Sequence, residues 1–110
     1  MNDQSNYVRE VLRLYLILPD SPKYAKVSDY NLAERLFDQG ITLEDVEAAL
    51  LLGTARRLFS RVNRGRSMRV HSLRYFIPII MEITEGCFSD GYLEYLRRNV
   101  RPYFKPLNNS

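Results

Sequence analysis

The stretch GITLEDVEAALLLGTARRLFSRV, Gly40 to Val62, decides the fold. Gly40 is suited to the left-handed conformation that closes a preceding helix, and Thr42 is then a natural N-cap with Asp45 three residues on, a variant of the capping box. Ile41 before the cap and Val46 after it form a hydrophobic staple. A long third helix is predicted from Leu43 to Arg61, rich in good helix formers such as Glu, Ala, Leu and Arg. Leu50, Leu51 and Leu52 make it apolar on nearly all sides, so this helix is either central in the core or shared with a partner. Further along, Leu51, Ala55, Leu58 and Val62 share one side, and Arg56, Arg57, Ser60 and Arg61 project from the opposite side, where they are expected to be exposed.

Working outward from that helix, the periodicity gives more helices and no strand. Val8, Val11, Leu12, Tyr15 and Leu16 have helical spacing within residues 6–18, and Pro19 and Pro22 end that helix in a loop through Ala25. Ser28 or Asp29 is placed to cap a second helix with Leu32, Ala33, Leu36 and Phe37 as its apolar stripe. Downstream, residues 63–69 (NRGRSMR) form a basic loop. A fourth helix begins near Ser72 with Leu73, Phe76, Ile77, Ile80 and Ile83 inward. Pro78 either kinks it or marks an aromatic turn followed by a helix starting at Ile77. Ser89 and Asp90 open a fifth helix with Leu93, Leu96 and Val100 inward and Glu94, Arg98 and Arg101 outward, ending at Pro102. Residues 105–110 are a frayed tail. At 110 residues and 45% hydrophobic content, the chain suits one core, so residues 1–110 are read as a single, compact all-α domain of about five helices.

Charge is distributed unevenly. Residues 1–50 carry five basic and nine acidic side chains, whereas residues 51–110 carry eleven basic and four acidic, so the two halves face different electrostatic partners. Between Ala48 and Met81 there is no acidic residue, yet Arg56, Arg57, Arg61, Arg64, Arg66, Arg69 and Arg74 all fall there. Arginine offers a planar fork of donors that fits phosphate oxygens. Seven of them in an acid-free stretch point to a polyanion, nucleic acid first. The competing readings are a solvated basic face, arginines paired with the acidic first half, and an acidic protein partner.

Catalytic chemistry finds little support. The five glycines are scattered and form no phosphate-cradling loop. His71, the sole histidine, lies beside the candidate cap Ser72 in a basic run and lacks a nucleophile partner. Cys87, the sole cysteine, rules out an internal disulfide and reads as a packed thiol. Glu44, Asp45 and Glu47 are explained by the dipole of the helix they begin, without a metal. No cofactor and no enzymatic activity are expected. Neither a signal peptide nor a membrane-spanning run is visible, and a cytoplasmic location is expected.

The helix, Gly40-Ile41-Thr42 turn and following helix invite a helix-turn-helix reading, but Glu44, Asp45 and Glu47 at the front of the second helix would be repelled by phosphates. The run Gly40 to Leu50, followed by Tyr75-Phe76-Ile77-Pro78-Ile79-Ile80, resembles the helical C-terminal module of DnaD-type primosome and phage replication proteins, and small accessory proteins of mobile elements. The resemblance spans roughly residues 30–83. Pro78 and the lack of a tryptophan after the aliphatic helix depart from it. It implies DNA binding or partner docking in replication or transposition and carries over no individual residue.

The expected function is a non-enzymatic nucleic-acid-binding module that grips the phosphate backbone through the seven arginines, with Tyr75, Tyr92 and Tyr95 as candidate stacking residues. Contacts to four to seven phosphates would give log affinity a slope of roughly −4 to −6 against log salt on duplex DNA. The alternative is an adaptor or oligomerisation module in which the acidic half docks on the basic half of another copy or on a larger protein partner.

Overall fold

The computed structural model describes residues 3–59, 69–86 and 88–105. Five α-helices run α1 (Asp3–Leu16), α2 (Val27–Asp38), α3 (Leu43–Phe59), α4 (Ile77–Thr84) and α5 (Asp90–Val100), with 3-10 turns at Leu73–Phe76 and Arg101–Tyr103. No strand occurs among the described residues, so the chain folds as an all-α domain.

The start of α3 forms as its local chemistry dictates. Gly40 takes φ +77°, and the Ile41 N–H donates to the Leu36 carbonyl at 3.1 Å, closing α2. Thr42 Oγ1 then accepts from the Asp45 N–H at 3.1 Å. Beyond the cap, every residue from Ala48 to Ala55 is buried. This resolves the leucine run: α3 is the central helix, packed against α1, α4, α5 and the Leu73–Phe76 turn, while α2 covers α1. Gly53 is what lets the wrapping close. A Cβ there would lie 2.7 Å from the Phe76 ring and 2.9 Å from Ile79 Cδ1, so a side chain at this position would push the aromatic turn and α4 off the central helix.

Pro78 starts a helix instead of kinking one. Ser72 Oγ accepts from the Arg74 N–H at 3.1 Å to begin the 3-10 turn, and the proline sits in the first turn of α4, where a missing N–H costs nothing. Ser89 caps α5 by accepting from the Tyr92 N–H at 3.1 Å.

Three expectations change. Neither Ser28 nor Asp29 is the N-cap of α2; Lys26 is, and Asp29, one turn inside, reaches back to accept from the Lys26 N–H at 3.0 Å. Arg57 is not exposed on the free flank of α3, because the loop after α1 folds over it. The tail does not fray at its first residue: the Lys105 N–H donates to the Ile17 carbonyl at 2.7 Å and Lys105 Nζ to the Ser21 carbonyl at 2.8 Å. The rest of the tail, Cys87, and most of the predicted basic loop lie outside the described residues.

Candidate functional site

Four of the seven predicted arginines are described, and α3 sets the geometry of the first two. Arg56 leaves the helix toward α4 and makes a bidentate pair with Glu82, both contacts at 2.9 Å. Hydrogen bonding to Glu82 raises the Arg56 pKa, and the same bond lowers that of Glu82. Arg57 turns the other way. Its guanidinium bonds Asp20 at 3.2 Å and lies 5.5 Å from the centroid of the Tyr75 ring, and its side chain is only 13% exposed. These two cations are therefore already matched by carboxylates of the same molecule, which corrects the picture of a vacant cationic flank on α3.

Further pairs join the acidic half to the basic half. Glu47, near the start of α3, bonds Arg101 at 2.7 Å and approaches Arg97 at 3.7 Å. The front of α3 is thus tied to α5 within one molecule, and the charge complementarity seen in the sequence is partly spent in cis.

Arg69 and Arg74 differ. Both are exposed, and among the described residues neither makes an ion pair. Arg74 shares a polar dent with Ser28, Asn31, Arg35 and Ser72. Arg69 leads into Val70, whose N–H donates to the Asp20 carbonyl at 3.0 Å, which brings this end of the chain beside the α1–α2 loop. There the Lys105 pKa is lowered, first by burial and then by the Arg69 charge, with Asp20 acting in the opposite direction. Arg61, Arg64 and Arg66 lie outside the described residues.

The three candidate stacking tyrosines converge. Tyr75 from the 3-10 turn and Tyr92 and Tyr95 from α5 line one open cleft of about 520 Å³ between α3 and α5. Phe59 and Asn99, which sequence reasoning did not select, complete its wall, and Arg56 lines it with its charge matched by Glu82. Residues 92, 95 and 99 share one face of α5, so the helical period could have supplied Asn99. Phe59 lies four residues beyond Ala55 on α3 and could have been found the same way.

Tyr92 stacks at 5.6 Å on Phe88 and at 6.2 Å on Tyr95, each pair of planes inclined by 18°, so the rings form an offset ladder. At the far end Phe59 meets Tyr103 edge-to-face at 5.9 Å, two residues before Lys105. No group of three or more His, Cys, Asp or Glu able to hold a metal ion occurs among the described residues, and no described helix is long and apolar enough to cross a membrane. No protein-family model matches the chain, and neither a curated protein nor a solved structure matches it.

Proposed function

We propose that the protein is a non-enzymatic nucleic-acid-binding module whose phosphate grip centres on the edge around Arg69 and Lys105 and not on the flank of α3. The observation that carries this reading is the crowding of like charge at that edge. Arg69 is exposed and makes no ion pair among the described residues, and its charge adds to burial in disfavouring the charged form of Lys105, against the nearby Asp20 carboxylate, which Arg57 bonds. Such crowding gains no stability for the isolated protein; a polyanion supplies the missing counter-charge. Arg61, Arg64 and Arg66, which immediately precede Arg69 in the chain, belong to the same reading. With the resemblance of residues 30–83 to the DnaD-type module, the proposed setting is an accessory role in replication, transposition or another nucleoprotein assembly.

The test is fluorescence anisotropy with labelled oligonucleotides at two salt concentrations. Four or five phosphate contacts give a slope in log affinity against log salt of about −3 to −3.5 on a single strand and about −3.6 to −4.5 on duplex DNA. Arg69→Glu weakens binding at low salt while circular dichroism remains helical. Binding that is absent at low salt, or insensitive to salt, overturns the reading.

A protein adaptor is the second reading, and the cis pair Arg56–Glu82 favours it, because it leaves the cleft wall nearly neutral and suited to a peptide. Self-association through the two charged halves is less favoured, since Glu47 is already engaged by Arg97 and Arg101.

A further inference from the structure

We infer that the tyrosine-lined cleft is a stacking platform for unpaired bases, so that the ligand is single-stranded nucleic acid; this rests on the nucleic-acid reading above and makes it specific. Three observations converge on it.

The first removes α3 as a groove-reading helix. A helix that reads the major groove must be free along one side, whereas α3 is buried from Ala48 to Ala55 and held by α5 through Glu47 at its acidic front. The second helix of the apparent helix-turn-helix is a core element, and its exposed Arg56 and Phe59 face the cleft.

The second is the form of the cleft. Tyr95, at the end of the ladder, is 57% exposed and is stacked on Tyr92 alone, whereas Tyr92 is already stacked with both Phe88 and Tyr95. Tyr75 also lines the cleft, with one face of its ring already taken by Arg57. Open aromatic faces accept any base, because every base has a π-face, but in a duplex those faces are already stacked on their neighbours. Asn99 Nδ2 donates to the Tyr95 carbonyl at 2.8 Å, which fixes the amide and leaves Oδ1 as an acceptor for a base edge.

The third is the division of charge. Arg56 is neutralised by Glu82 beside the stacking surface, and past the Phe59–Tyr103 contact the chain reaches Lys105, held by Ser21, and Arg69, which is exposed and makes no ion pair among the described residues. A neutral aromatic wall beside a cationic edge is what a single strand needs: bases on the wall, phosphates on the edge.

The experiment compares a labelled mixed-sequence single-stranded DNA, RNA of the same sequence and the corresponding duplex, each against the wild-type chain, Tyr92→Ala, Tyr95→Ala and Tyr95→Phe. One or both single strands should bind at least tenfold more tightly than the duplex, the alanine variants should lose between about five- and a hundredfold in affinity, and the phenylalanine variant should retain binding. The chain has no tryptophan, so its intrinsic emission is tyrosine emission, and stacking should quench it in the wild type and less in Tyr95→Ala. Duplex binding as tight as single-strand binding, or alanine variants that bind like wild type, overturns the stacking inference and leaves the phosphate grip standing. Failure to bind any of the three probes at low salt overturns the reading beneath it as well, and the neutral cleft then belongs to a protein partner.

Discussion

Asp29 and Glu82 each hold a distant segment in place, and they do so under opposite conditions. Asp29 is fully buried and makes no ion pair among the described residues; it accepts from the Lys26 N–H at 3.0 Å, from the Leu73 N–H at 3.0 Å and from the Ser72 hydroxyl at 3.4 Å. Glu82 is partly exposed and has a bidentate arginine. Formal charge alone would rank Glu82 as the stronger anchor. Burial reverses that order, since each donor left without a partner in a dry interior costs far more than a solvated ion pair returns. The junction at Asp29 joins the start of α2 to the aromatic turn that carries Tyr75, and therefore positions one wall of the cleft.

The largest expected effect follows from that junction. Asp29→Ala removes the acceptor of two backbone N–H groups and one hydroxyl and should cost about 3 kcal/mol in urea unfolding. Asp29→Asn keeps one acceptor oxygen and should cost less. A loss below about 1 kcal/mol for the alanine variant would mean that water repairs the junction, and the contrast with Glu82 would fail.

The same buried region should reveal itself at high pH. Tyr7 and Tyr15 bury hydroxyls that have no hydrogen-bond partner among the described residues. Burial, with Asp45 nearby, pushes the Tyr7 pKa up to about 12, and burial together with Asp29 raises that of Tyr15. For an acid whose folded value lies above its unfolded value of 10, the associated stability is fully present below pH 10 and is lost as pH rises through about 12. Absorbance at 295 nm and circular dichroism, recorded together, should show these two phenols ionising as the helices melt. Tyr7→Phe should move the alkaline transition upward.

Between the two extremes stands Arg57, nearly buried against a half-exposed Asp20. Arg57→Glu sets two carboxylates together and strips the cation from Tyr75, so a destabilisation of about 1.5 kcal/mol is expected, between the values for exposed and buried pairs. This makes it a poor probe of ligand binding. Arg69→Glu should leave the melting temperature unchanged, and if it unfolds the protein the edge is structural.

These residues also show what was legible in the sequence. The Gly40-Ile41-Thr42 junction and the Ser89 cap depend on chemistry within four residues, and the chain carries it openly, whereas Pro78 allowed either a kink or a helix start and only the structure decides for the start. Asp29 was legible as a helix-start residue, but its bond to Leu73 spans 44 positions. Arg57 was projected outward because a helical wheel knows only its own helix, and the Asp20 loop that covers it arrives from 37 residues away. The tyrosines could be chosen by type, but only packing brings the 3-10 turn opposite α5. Gly53, in the middle of a long helix and directly after three leucines, was the overlooked signal of a close approach by Phe76.

The smallest expected effect tests the comparison from its other side. The hydrogen bond from Arg56 holds the Glu82 pKa below the ordinary 4.5, so the stabilising contribution of that pair is present above the unfolded value and is lost as pH falls through the lowered folded one. Both side chains are well solvated, and water competes for every contact they make. Arg56→Ala should therefore return the Glu82 titration, followed by NMR of its side-chain carboxyl, to the ordinary range while the thermal midpoint hardly moves. A midpoint drop as large as that of Asp29→Ala would break the argument, because it would mean that the pair clamps α4 to α3 as firmly as the buried junction clamps α2 to the aromatic turn. The cleft would then owe its shape to Arg56, and the neutral wall beside its tyrosines would be a structural necessity before it was a surface for bases.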